Sequence, residues 1–196
     1  METLYKKITD ALVNDGYIII EDALGTELSQ NLLHLAQQEN NYKEAGISSS
    51  DALHLDKQRR RDKIVWLDED GGAISEFLLF TEGLREHLNR SLYLGLSYYE
   101  AHFAHYENGD FYEKHLDSFK NSKNRVVTTV YYLNEEWLNE DGGELIVYDK
   151  DDNFITKILP EQNTLVVFMS EEFPHSVAPT KKDRYSIAGW YRIDKR

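Results

Sequence analysis

From Leu96 onward, closely spaced turn signals divide the chain into short β-patterned runs: ENGD at 107–110, DGGE at 141–144, DKDDN at 149–153, PEQN at 160–163 and TKKD at 180–183. Glycine, asparagine, aspartate and proline supply the backbone conformations that reverse a strand, so each cluster ends one run and starts the next. Many short strands at this spacing bury their apolar faces by folding into a sandwich or jelly roll.

The first half reads differently. Leu4, Ile8 and Leu12 lie on one helical stripe that ends near Gly16, and YIII at 17–20 follows as a buried strand. Leu28, Leu32 and Leu35 mark a second helix starting near Thr26. A third, from about Gly72 to Arg90, carries Ile74, Phe77, Leu78, Leu84 and Leu88 on its apolar side. The expected fold is mainly β with supporting α-helices, one domain over 1–196. Residues 1–95 provide mainly helical support with early strands, and 96–196 form the β core. At 196 residues and 41% hydrophobic, the chain can bury one good core.

Composition excludes several function classes. A net charge of −13 argues against nucleic acid as a partner, because phosphate binding needs a basic surface. The exception is KQRRRDK at 57–63, a charge run whose default reading is a solvated loop. The absence of cysteine rules out disulfides and thiolate ligands and fits a reducing cytoplasm. The N-terminus, METLYKKITDALVNDG, is amphipathic rather than a signal peptide, and no apolar run approaches a membrane span. No internal repeat or low-complexity tract stands out.

Within the β half, four residues carry chemistry: His115 and Asp117 in HLD, His175 in FPHSVAPT and Arg184 in DRYSIAGWYR. Two imidazoles and a carboxylate, with an arginine nearby, are the parts of a non-haem iron site that also holds an anionic cosubstrate. In an extended strand, residues two apart face the same side, so His115 and Asp117 can reach one metal while Leu116 points away. His175 must come from a strand distant in sequence. Three protein ligands on one face of an octahedron leave three positions open, which suits a bidentate ligand plus dioxygen.

Rival motifs fail. As a calcium loop, DKDDN would need glycine at its sixth position and glutamate at its twelfth, where Phe154 and Pro160 stand. It reads as a hairpin turn. His34 and His87 fall on predicted helices and His54 in a loop, while His102 and His105 have opposite strand parity and cannot line one wall. If Arg184 points inward, so do Ser186, Ala188 and Trp190, with Tyr185, Ile187 and Tyr191 facing away. The same alternation puts Val126, Thr128, Val130 and Tyr132 on one face.

These segments resemble a known family. From DKIVWL at 62–67 through VYYLNEEW at 130–137, DGGEL at 141–145 and FPHSVAPT to RYSIAGWYR, the chain is similar to iron(II)/2-oxoglutarate-dependent dioxygenases of the prolyl 4-hydroxylase family. Within that family it resembles the hypoxia-sensing prolyl hydroxylases and their bacterial relatives. The first sixty residues match only loosely. The resemblance implies a double-stranded β-helix (jelly roll) with helices bracing one face. It also implies an iron(II) site on His115, Asp117 and His175, with Arg184 and Tyr132 gripping the distal carboxylate of 2-oxoglutarate. Tyr106 stands about where the family has another cosubstrate-contacting tyrosine, across a one-residue gap. Asp62 and Arg125 align with an acid and a base that bridge a mobile loop to the barrel, and Trp66 and Trp190 with tryptophans near the entrance.

By the same resemblance the reaction consumes O2 and 2-oxoglutarate, yields hydroxylated product, succinate and CO2, and is supported by L-ascorbate. The implied substrate is proline in a cytoplasmic protein or peptide, with a translation factor suggested by the bacterial relatives. Two alternatives stay open. One is hydroxylation of a free amino acid or other small molecule, and the other is a non-catalytic iron- or ligand-sensing module.

Overall fold

The computed structural model describes residues 1–49, 52–54, 58–68, 71–118 and 124–193. In chain order the elements are α1 (Glu2–Asn14), β1 (Tyr17–Ile20), α2 (Thr26–Gln38), β2 (Lys43–Glu44), β3 (Ile47–Ser49), β4 (Ala52–His54), β5 (Lys63–Trp66), α3 (Gly72–Leu92), β6 (Tyr98–Tyr106), β7 (Tyr112–His115), β8 (Arg125–Tyr132), β9 (Leu145–Tyr148), β10 (Phe154–Ile158), β11 (Leu165–Met169), β12 (His175–Val177) and β13 (Arg184–Arg192). No helix among the described residues is long and apolar enough to cross a membrane.

Two antiparallel sheets form the jelly roll. The larger has seven strands in the order β1-β11-β8-β13-β6-β5-β2, and the smaller has four in the order β10-β9-β12-β7. Period-two alternation gives the larger sheet two apolar faces. Val127, Tyr131, Ile187 and Tyr191 pack with the helical residues Ile8, Leu32, Phe77, Leu84 and Leu88. The opposite face, with Ala104, Tyr106, Val130, Tyr132, Val166 and Phe168, packs with Leu145, Val147 and Val177 of the smaller sheet. Ile8, Leu32, Leu84 and Leu88 are fully buried, each contributing about 1.5–3 kcal/mol. The helices thus brace one face, and the other is left for the site.

Turn chemistry follows the sequence. DKDDN connects β9 to β10, with the Asp149 carboxylate accepting from the backbone N–H groups of Asp151 and Asn153. Gly16 ends the turn after α1 at φ +77°, and an added Cβ there would sit 2.8 Å from the Phe173 ring.

Three expectations change. His54 lies on β4, not in a loop. Val126 leaves the face of Thr128, because the β13–β8 register shifts between Tyr191↔Val127 and Arg192↔Arg125, and it packs on the helix side. The run at 57–63 is solvated only in part: Gln58, Arg59 and Arg61 are exposed, whereas Arg60 is half-buried and Asp62 buried. Arg59 pairs with Glu113, Arg60 is held by Asp62, and Arg61 lies over Phe111. Lys57 lies outside the described residues.

Candidate active site

The two histidines meet because their strands are neighbours. β7 and β12 pair antiparallel with His115 directly opposite His175, and their ring centroids are 4.4 Å apart. Asp117 arrives differently from the parity argument. β7 ends at His115, and the chain turns so that Leu116 is 37% exposed while Asp117 is buried. Its carboxylate oxygens lie 3.6 Å from His115 Nε2 and 3.6 Å from His175 Nε2. One ligand atom from each of the three residues lies within 4.8 Å of the others, a group that can hold a metal ion.

The surroundings set the ligand atoms. His115 Nδ1 is 2.8 Å from Glu113 O, and His175 Nδ1 is 3.0 Å from Phe173 O. A carbonyl only accepts, so both Nδ1 atoms carry the proton and both Nε2 lone pairs face the gap. Burial pushes His175 down to about 4, against the pull of Asp117, so the imidazole is neutral and able to ligate. Burial alone would raise the Asp117 carboxyl. Its contacts with His175 and His115 prevail and hold it well below the usual carboxylate range. Thr128 Oγ1 donates to Asp117 Oδ2 at 2.9 Å and lies 2.9 Å from Ser170 Oγ.

The set opens on a cavity of about 470 Å³ whose wall includes Arg184, Ser186, Ala188 and Trp190, in agreement with strand parity. From Arg184 to Trp190 this wall runs about 20 Å. At one end Arg184 is 2% exposed, its Nε donating to Gly143 O at 2.8 Å and its Nη1 to Ser186 Oγ at 3.3 Å. Gly143 adopts φ +69°, and a Cβ there would meet Arg184 Cδ at 3.0 Å, so the second glycine of DGGEL makes room for the guanidinium. Among the described residues no carboxylate pairs with Arg184, and a buried arginine in that state suits an incoming anion. The rings of Tyr106 and Tyr132 lie 4.8 and 5.1 Å from its guanidinium carbon. The Tyr132 hydroxyl is buried without a hydrogen-bond partner, and burial pushes its pKa up to about 12 against the effect of Arg184, leaving a neutral O–H donor. Tyr106 is among the residues that line the cavity, and Tyr132 is not. These groups fit a dicarboxylate.

At the other end stand Trp66, 49% exposed, and the buried Trp190. His102, unassigned from the sequence, packs between them with ring centroids at 5.3 and 5.4 Å. The expected Asp62–Arg125 bridge is not formed. Asp62 is buried and pairs with Arg60 at 2.6 Å, whereas Arg125 donates to Glu100 at 3.0 Å and stacks 3.7 Å from the Trp190 ring centroid. All four substrate-side candidates, Asp62, Arg125, Trp66 and Trp190, nevertheless line the cavity. Sequence reasoning also missed Arg60, hidden in a charge run, and Tyr112. A bulge sets two residues of β7, Glu113 and Lys114, against one of β12, Ser176, which brings Tyr112 onto the face of His115 although the two are three apart.

Comparison with known proteins agrees with this geometry. The sequence profile of the 2OG-Fe(II) oxygenase superfamily matches residues 101–192. A Pseudomonas putida prolyl-4-hydroxylase is 33% identical, and its crystal structure superposes with a TM-score of 0.88 over 96% of this chain and 99% of that one. The chain belongs to the 2OG-Fe(II) oxygenase superfamily, among its prolyl hydroxylases. Human Egl nine homolog 1 is 29% identical over 195 residues, 94% of this chain and 45% of that protein. A Trichoplax adhaerens prolyl hydroxylase, solved with a hypoxia inducible factor oxygen degradation domain peptide fragment, is 27% identical with a TM-score of 0.84, covering 97% of this chain and 90% of that one. Both superpositions cover at least 96% of this chain, so they extend over most of the first sixty residues. The chain covers 45% of the length of the human relative and 27% of a Caenorhabditis elegans hypoxia-inducible factor prolyl hydroxylase.

Proposed function

We propose that this chain is an Fe(II)- and 2-oxoglutarate-dependent prolyl hydroxylase acting on proline in a protein or peptide. One observation carries the reading: a His–Asp–His set and a buried arginine that lacks a carboxylate partner among the described residues share a single cavity. When bound, iron(II) with 2-oxoglutarate and O2 supplies the oxidising chemistry, placing one oxygen atom in succinate and the other in the hydroxylated product, with release of CO2.

The protein's part is to bind and orient. His115 and His175 offer Nε2 lone pairs and Asp117 the one anionic ligand, with the carboxylate held in place by Thr128. Arg184 presents its guanidinium to the distal carboxylate of 2-oxoglutarate, and the neutral phenols of Tyr132 and Tyr106 complete that end. Trp66, His102 and Trp190 form an apolar, aromatic mouth suited to a proline ring, with Arg125 and Asp62 in the adjoining wall. A cytoplasmic setting, with ascorbate returning oxidised iron to its active state and a translation factor as partner, completes the assignment. Its support is the cysteine-free, acidic chain and the resemblance to bacterial prolyl hydroxylases.

The test is to incubate the purified chain with iron(II), 2-oxoglutarate, ascorbate and a bacterial proteome, measuring succinate and searching for oxidised prolines by mass spectrometry. Asp117→Ala serves as the control. Succinate release and new hydroxyproline, both lost in Asp117→Ala, are expected. Turnover of free proline without peptide hydroxylation would instead establish a small-molecule enzyme, and no succinate from either would reject catalysis.

A further inference from the structure

Of the two histidines, His115 has the weaker surroundings. His175 sits on an inner strand, is 5% exposed and packs 5.0 Å from Phe168. His115 sits at the end of β7, the edge strand of the smaller sheet, where pairing protects only one side. The other side is covered by the segment at 59–62. Arg60 bridges antiparallel to Tyr112, the Arg61 N–H donates to Phe111 O at 3.2 Å, and the Glu113 N–H donates to Arg59 O at 2.8 Å.

The side chains continue the contact. Asp62, buried, accepts from Arg60 Nε at 2.6 Å and from Nη2 at 2.8 Å, which fixes the guanidinium in one plane. That guanidinium carbon lies 4.6 Å from the centroid of Tyr112. Tyr112 in turn stacks on His115, with centroids 3.6 Å apart and planes 17° apart. The hydrogen bond from Nδ1 to Glu113 O sets the direction of the imidazole, but a single bond leaves its plane free to rock. The stack removes that freedom.

We infer that Arg60 and Tyr112, with Asp62 behind them, are positioning residues for the metal ligand His115. This rests on the metal assignment proposed above. The same residues line the cavity, so the segment that leads into β5, the strand of Trp66, also carries the support of a metal ligand. The job of Asp62 is accordingly directed at the metal through Arg60 and Tyr112, not at Arg125.

The experiment uses the full chain stripped of metal, titrated with Mn(II) by calorimetry and with Co(II) by absorption spectroscopy, which reports ligand geometry. Tyr112→Leu and Arg60→Met should each weaken Mn(II) binding about tenfold, the lower end of what losing an outer partner of a ligand costs. Both should shift the Co(II) bands. Tyr112→Phe keeps the ring and should bind within about twofold of wild type, separating the stack from the hydroxyl. If Arg60→Met fails to fold, the Leu and Phe variants at 112 decide the matter. Wild-type Mn(II) affinity and unchanged Co(II) bands in Tyr112→Leu would overturn the inference while leaving the metal assignment standing. A wild-type chain that took up no Mn(II) would overturn that assignment and this inference with it.

Discussion

Thr128 donates its hydroxyl hydrogen to Asp117 Oδ2 at 2.9 Å, joining the inner face of β8 to the carboxylate of the candidate metal set. Asp117 lies beyond the end of its strand, so this bond and the contacts with His115 and His175 hold a side chain that no backbone ladder fixes. Thr128→Val keeps the volume and removes the donor. We expect metal affinity to fall about 10- to 100-fold, with Thr128→Ser restoring most of it. Equal Mn(II) affinities for Val, Ser and wild type, measured by calorimetry, would rule out that role.

The cosubstrate end is tested by Arg184 and the glycine that accommodates it. Arg184→Lys retains charge but loses the planar fork, so the Michaelis constant for 2-oxoglutarate should rise by tenfold or more with metal affinity unchanged. Gly143→Ala should act in the same direction, because its Cβ would sit 3.0 Å from Arg184 Cδ and its backbone is at φ +69°. Steady-state kinetics with 2-oxoglutarate varied would expose the opposite result, an unchanged constant in both variants.

Burial, aided by Arg60, pushes His102 down to about 4, from an ordinary value of 6.5. Below pH 6.5 the unfolded chain takes up a proton that the folded chain refuses, so stability rises with pH across this window. The histidine's contribution is complete above about 6.5 and is lost as pH falls toward 4. At pH 5 the apoprotein should have lost on the order of 2 kcal/mol through His102, with His175 adding to the loss. Urea unfolding at pH 7 and pH 5 measures it. His102→Leu should reduce the difference, and an identical pH response in that variant would contradict the assignment.

The partners of Arg125 and Asp62 give a fourth prediction. In double-mutant cycles on stability, Arg125 and Glu100 should show a coupling of roughly 0.5–1 kcal/mol, as befits a half-buried pair. Arg125 and Asp62 should show almost none, since each is bonded elsewhere. Asp62→Ala should cost at most about 3 kcal/mol, by leaving the half-buried Arg60 guanidinium without its carboxylate. A coupling between Asp62 and Arg125 larger than that between Arg125 and Glu100 would restore the bridge expected from the sequence.

Local pattern determined much of this protein. Turn residues at short intervals specified the β core, i, i+4 apolar spacing specified three helices, and period-two alternation along β13 placed Arg184, Ser186, Ala188 and Trp190 on one wall. Residue chemistry singled out His115, Asp117, His175 and Arg184 before any fold was known, because metal and carboxylate ligation admit few side-chain types. Tertiary structure decided everything that depends on which strands become neighbours. The β7–β12 register set His115 against His175, and a bulge in β7 brought Tyr112 onto the same face, where strict alternation predicts the reverse. The docking of residues 59–62 on the open edge of β7 turned an arginine in a charge run into a half-buried support. The pairing of β13 with β6 and β8 gave Arg125 to Glu100 in place of Asp62. Alternation and turn chemistry are properties of a few consecutive residues, whereas pairing partner and register are selected by the free energy of the whole core, which no short window of sequence contains.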